Sequence, residues 1–281
     1  MPSVFSFPIM TEHSIQDYLS LAIEVAREAG DYAYRVNTNE LKIASKSNEM
    51  DLVTEVDGRN EKMIRDTVLS KYSDHSFLGE ELGASAEGEG EVRWIIDPID
   101  GTVNFAHGLP IWCVSIGVEV NGQVECGVIY NPNLKELFTV RRGHGAFLNG
   151  KQIHVSSQTN YKQGLFVTGF PYNVHENPDK VIEQFVGFLS KGLLIRRLGS
   201  AALDLAYVAC GRFDGFWEVG LSPWDTSAGQ LMVREAGGRA THYDGSDYNI
   251  YRKSIIATSG LHHEMVMKII AEVNGAKTNT P

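Results

Sequence analysis

Behind Ser14-Ile-Gln-Asp17, the apolar residues Ile15, Tyr18, Leu19, Ala22, Ile23 and Ala26 recur at helical spacing and predict an amphipathic helix. Ser14 and Asp17 are spaced as a capping box with aspartate in the glutamate position. Asp57 is placed to cap a second helix, with Met63, Ile64, Thr67 and Val68 turned inward. The period then changes. Ser76 to Gly79 and Val92 to Ile96 read as short strands. Val114, Ile116, Val118 and Val120 alternate, Asn121-Gly122 follows, and Val124, Cys126 and Val128 alternate again. That is a hairpin, because Asn-Gly suits the positive φ of a type I′ turn. Glu136 to Val140 is another strand and Asn149-Gly150 another turn.

The second half restarts with a strand over Gly164 to Gly169 and a helix over Lys180 to Leu189. Strands over Leu193 to Arg197 and Phe213 to Trp217 flank a small-residue helix from Ser200 to Cys210. A helix from Pro223 to Glu235 stops at Gly237-Gly238, and a last one begins near Leu261. Ala84 to Gly90 is the one flexible, low-complexity stretch. Hairpins mixed with helices predict layered α and β structure on largely antiparallel sheet. No linker and no repeat interrupts it. The expected organisation is one domain over 12–274, in two halves of about 12–158 and 164–274, with tails at 1–11 and 275–281.

Composition narrows the function. Of 281 residues, 43% are hydrophobic and 21% charged, which is ordinary for a globular protein. The formal net charge of −10 argues against a nucleic-acid surface but allows a small anionic substrate if metal ions supply positive charge. Cys113, Cys126 and Cys210 are odd in number and widely spaced, so they read as reduced thiols. No apolar run approaches the roughly 18 residues of a membrane span. MPSVFSFPIM lacks a basic start, so no signal peptide is expected; Met10 is an alternative start and the cytoplasm the expected compartment.

Five acidic residues sit where strands or loops end: Glu80, Asp97, Asp100, Glu218 and Asp225. In Asp97-Pro-Ile-Asp-Gly-Thr102, the strand Trp94-Ile95-Ile96 delivers Asp97 to a sheet edge. Pro98 is read as ending the pairing, because it lacks an N–H. Two carboxylates held close need a cation or a proton between them. Oxygen ligands without histidine or cysteine nearby point to Mg²⁺ over zinc. Gly101 and Thr102 add N–H groups and a hydroxyl that could cradle an anion. Asp-Pro and Asp-Gly are also ordinary turn chemistry, and Asp225 is also placed as a helix cap. Spacing alone does not bring these carboxylates together.

The ordered set of motifs goes further. Lys46 precedes Asp51-Leu-Val-Thr-Glu-Val-Asp57; then come Gly79-Glu-Glu81, WIIDPIDGTVNFAHG, Gly199-Ser-Ala-Ala202, Trp217-Glu-Val-Gly220, and Trp224-Asp225 leading to Arg234-Glu-Ala-Gly-Gly238. Over about Ile15 to Ile270 the chain closely resembles the inositol monophosphatase family of lithium-sensitive phosphatases. The resemblance implies an α+β fold, a layered α-β-α-β-α sandwich, as a homodimer. It implies hydrolysis of a small phosphorylated polyol with two or three Mg²⁺ per site, Mn²⁺ as a substitute and Li⁺ as an inhibitor. Glu80, Asp97 and the carbonyl of Ile99 look like ligands of one ion; Asp97, Asp100 and Asp225 look like ligands of a second. Asp57, Thr102 and Glu80 are the implied catalytic set. Asp100, Gly101, Thr102, Ala201, Glu218 and Asp225 are the implied substrate contacts. Where the family has DGTTNF, this chain has Val103 in place of the second threonine, one residue beyond Thr102.

Two other readings stay open. A sister phosphatase would share the metal core and act on fructose 1,6-bisphosphate, histidinol phosphate, a nucleotide 3′-phosphate or NADP, with specificity near Ala201, Glu218 and the loop from Gly169 to Asn177. A regulatory protein would bind a partner, for instance in transcription, with catalysis secondary.

Overall fold

The structure, a computed structural model, describes residues 12–36, 43–45, 52–85, 91–176 and 179–275. Lys46, Asp51, Asn177, residues 86–90 and both chain ends lie outside the described residues, and so do the readings made on them.

The first half runs α1 (Glu12–Arg35), β1 (Ile43–Ser45), β2 (Leu52–Thr54), α2 (Glu55–Lys71), β3 (Ser76–Gly79), β4 (Gly83–Ala84), β5 (Val92–Asp100), α3 (Thr102–Ala106), β6 (Cys113–Val120), β7 (Gln123–Asn131), β8 (Glu136–Arg141), β9 (Ala146–Leu148) and β10 (Lys151–Ile153). The second runs β11 (Leu165–Thr168), α4 (Val181–Ser190), β12 (Leu194–Arg196), α5 (Ala201–Ala209), β13 (Gly215–Val219), α6 (Pro223–Glu235), β14 (Arg239–Thr241), β15 (Ser254–Thr258) and α7 (His263–Gly275). Among the described residues, β1 and β2 pair alone, an eight-stranded sheet has the order β10-β9-β8-β7-β6-β5-β3-β4, and a five-stranded sheet has the order β12-β11-β13-β15-β14.

Alternation along the strands builds the layers. Trp94 and Ile96 of β5, with Val114, Ile116 and Val118 of β6, pack against Tyr18, Ala22 and Val25 of α1 and Ile64 and Val68 of α2. Ile95 and Ile129, on the opposite face, join α5 and α6 in a core that also takes Val167, Phe216 and Ile255 from the second sheet. Phe188 of α4 and Val266 and Ile270 of α7 cover the far face of that sheet on Phe166, Trp217 and Ile256. Helix, sheet, helix, sheet, helix is the expected sandwich. The Asn121-Gly122 hairpin forms as read, with φ of 50° and 78° at the turn.

Three local readings change. Ser14 lies inside α1, not at its cap. Asp57 is the third residue of α2; Thr54 is the cap, and the two side chains bond each other's backbone N–H. Finally, β15 goes unread in the sequence, because Ile255 and Ile256 are both fully buried and a strand covered on both faces does not alternate.

Candidate metal and phosphate site

The site begins with an irregularity in β5. Pro98 does not end this strand. Asp97 pairs with Ser115 and Asp100 with Cys113, so one residue of β6 opposes two of β5 between them. In a regular strand, residues three apart point to opposite faces. The bulge resets the alternation and puts Asp97 and Asp100 on one face, the face of Ile95 that meets α5 and α6. Proline is tolerated at such a bulge because no ladder N–H is needed there.

Asp225, in the first turn of α6, meets them. Its Oδ2 accepts from the N–H of Ser222 at 2.7 Å, so it closes a capping box and reaches the site at once. One oxygen from each of Asp97, Asp100 and Asp225 lies within 4.8 Å of the others. Glu80 follows β3, which runs parallel to β5, and lines the same cleft; among the charges around Asp97 its carboxyl acts most strongly on that group. Burial pushes the Asp97 carboxyl well above the usual range, and Glu80, Asp100 and Asp225 add to it. Burial also raises Asp225, with Asp100 and Glu80 adding to it. Asp100 is raised by burial too, against hydrogen bonds from Ser200 (2.5 Å) and the N–H of Ala202 (2.8 Å). This crowd of oxygen donors fits a hard divalent cation, which would relieve the repulsion.

Next to the carboxylates, Thr102 Oγ1 lies 3.2 Å from Asp57 Oδ1 and 3.0 Å from the carbonyl of Ile99. The other oxygen of Asp57 accepts from the N–H (3.0 Å) and hydroxyl (2.5 Å) of Thr54, which fixes the carboxylate's orientation. Gly101 has φ 96°, and a Cβ there would sit 3.0 Å from the carbonyl of Ile111, so only glycine makes this bend. Asn104 ties the bend to the second half, donating to the carbonyls of Ile111 (2.7 Å) and Leu198 (2.9 Å).

The cleft, about 1160 Å³, continues from these groups to a wall formed by Ala201 and Glu218. Burial raises the Glu218 carboxyl to about 8; Arg197 opposes the shift and Asp100 adds to it. Asp204 of α5 also lines the cleft, and among the described residues its buried Oδ1 has no hydrogen-bond partner. In the sequence its one signal is that of a lone acid in Ala201-Ala-Leu-Asp-Leu-Ala206. Arg197 is exposed yet lines the cleft, and so does His175. Cys113 and Cys126 are buried free thiols, and Cys210 is a partly buried one.

Among the described residues, no helix is long and apolar enough to cross a membrane. Residues 14–275 match the profile of the "Inositol monophosphatase family". An inositol-1-monophosphatase of Synechocystis is 39% identical over 94% of this chain and 92% of its own. A protein of Pseudomonas aeruginosa named Nus factor SuhB is 41% identical over 86% of this chain and 92% of its own. The crystal structure of the extragenic suppressor protein suhB from Bartonella henselae superposes with a TM-score of 0.84 at 37% identity, covering 90% of this chain and 98% of that one. Profile, relatives and fold agree with the carboxylate site: the chain belongs to the inositol monophosphatase family and is a phosphatase.

Proposed function

We propose that the protein hydrolyses an inositol monophosphate to inositol and phosphate, using water and Mg²⁺. One observation carries this reading: two buried carboxylates, Asp97 and Asp100, and the half-buried Asp225 converge at the floor of a cleft whose far wall presents Glu218. Glu80, Asp97, the Ile99 carbonyl, Asp100 and Asp225 would hold the ions. When bound, these cations neutralise the phosphoryl oxygens, acidify a water and stabilise the leaving oxygen.

The protein's own groups do the rest. The Thr102 hydroxyl would donate its hydrogen bond to the Asp57 carboxylate. Its lone pair then accepts from the attacking water and aligns it with phosphorus. The N–H groups of Gly101 and Thr102 hold the phosphoryl oxygens. Water adds to phosphorus, the ester P–O bond breaks, and the alcohol leaves with a proton. Asp100, Ala201 and Glu218 contact the polyol hydroxyls, with Asp225 beside them. Mn²⁺ is expected to replace Mg²⁺, and Li⁺ to inhibit. The exposed apolar row Ile182, Val186 and Leu189 on α4, with Leu194 on the edge strand β12, supports a homodimer, which sedimentation would test.

The test is phosphate release from inositol 1-phosphate, fructose 1,6-bisphosphate, histidinol phosphate and NADP, each with and without Mg²⁺. Inositol 1-phosphate should give the highest kcat/KM, and EDTA should stop the reaction. Preference for another ester moves the assignment to that sister activity, and indifference to Mg²⁺ removes it. The relative named Nus factor SuhB favours a second reading, a partner-binding protein with residual phosphatase activity. A partner that the Asp97→Asn variant still binds would support that reading.

A further inference from the structure

Glu61 is a fully buried glutamate on α2, one helical turn beyond Asp57, and no sequence motif drew attention to it. Its carboxylate accepts from the N–H of Glu81 at 2.8 Å and from the N–H of Leu82 at 3.2 Å. Both belong to the turn between β3 and β4, immediately after Glu80. Arg65 pairs with the same carboxylate at 2.5 Å and also donates to the carbonyl of Gly83 at 2.5 Å, closing the turn from its other end.

Gly79 shows how close the approach is. A Cβ there would sit 2.0 Å from Glu61 Oε1 and 2.4 Å from its carboxyl carbon. Glu61 therefore occupies the space that any side chain at 79 would fill. The N–H of Glu80 itself donates to the Ile96 carbonyl at 3.2 Å, one residue before Asp97. The main chain at Glu80 is held from both sides, by β5 on one and by Glu61 on the other. Glu61 meets the turn at its centre, at Glu81 and Leu82, whereas the short β4 and Arg65 hold its far end.

We propose that Glu61 is a positioning residue that holds Glu80 in register with Asp97 and thereby sets cation affinity. It touches neither substrate nor cation, and the proposal rests on reading Glu80 as a cation ligand. Partners that orient a ligand typically change metal affinity by about 10–100-fold when removed.

Mn²⁺ binding to the metal-free, full-length protein tests this, read by calorimetry or by electron paramagnetic resonance of free Mn²⁺. Glu61→Gln should weaken Mn²⁺ by about tenfold or more. Amide exchange in the metal-free variant should quicken at residues 79–82 while α2 keeps its wild-type protection. Because Glu61 acts through Glu80, the Glu61→Gln/Glu80→Gln double variant should bind no more weakly than Glu80→Gln alone. If Glu61→Gln fails to fold, Gly79→Ala displaces the same carboxylate and should weaken Mn²⁺ in the same way. Mn²⁺ affinity within twofold of wild type in a folded variant, or additive losses in the double variant, overturns the proposal. A wild-type protein that binds no Mn²⁺ overturns the cation reading itself, a distinct result.

Discussion

Thr102 is held between two acceptors, the Asp57 carboxylate and the Ile99 carbonyl. On the proposed mechanism its hydroxyl serves the reaction, while only its N–H serves binding. Thr102→Ala should lower kcat by about 10²-fold or more, as removing a positioned proton acceptor does, and leave KM nearly unchanged. A change confined to KM, measured by steady-state phosphate release, would remove it from the water's path. Asp97→Asn keeps shape and hydrogen-bonding capacity but loses charge where the carboxylates crowd. It should nearly abolish turnover with the circular dichroism spectrum intact, and wild-type rates in saturating Mg²⁺ would refute the assignment. His263, away from the site, sets a pH limit. Burial, with Arg239 adding and Glu264 opposing, depresses its imidazole from 6.5 to about 4. Between those values the unfolded chain binds the extra proton, so stability is whole above pH 6.5 and falls as the pH drops toward 4. The urea midpoint should fall from pH 7.5 to pH 5, and by less in His263→Gln. Equal falls in the two proteins would exclude this histidine.

At the scale of elements, α4 docks on the second sheet through Phe188, fully buried and stacked on Trp217 with ring centroids 3.8 Å apart. Phe188→Ala should cost about 3–5 kcal/mol of stability by chemical denaturation, and a loss below about 1 kcal/mol would mean α4 is not anchored there. Most of these elements were legible. The hairpin at Asn121-Gly122 and the α6 helix carry their periods and their punctuation in the residues themselves. Those left unread depend on neighbours. The β5 bulge is a matter of register against β6, which no local pattern records, yet it sets where Asp100 points. Glu218 was visible as an acid at a strand end, but its expected contact with substrate came only through the family resemblance. Asp204 could be seen as an acid among apolar residues, whereas Glu61 lies between Asn60 and Lys62 with no such signal, and the roles of both arise from packing.

Over the whole molecule, α5 and α6 form the middle layer shared by both sheets, and the site straddles it. Asp97 and Asp100 come from the first sheet, Asp225 from α6 and Glu218 from the second sheet. We propose that the two halves are one folding unit, since their common core draws on both. Fluorescence and circular dichroism should then report coincident unfolding transitions, whereas two separated transitions would divide the chain. The claim on which the rest stands is that Glu80, Asp97, Asp100 and Asp225 together hold divalent cations. Crystals soaked in Mn²⁺ and measured for anomalous scattering test it most directly. Peaks coordinated by these carboxylates are the expected result, and a map without density among them, at Mn²⁺ concentrations that support turnover, would contradict it.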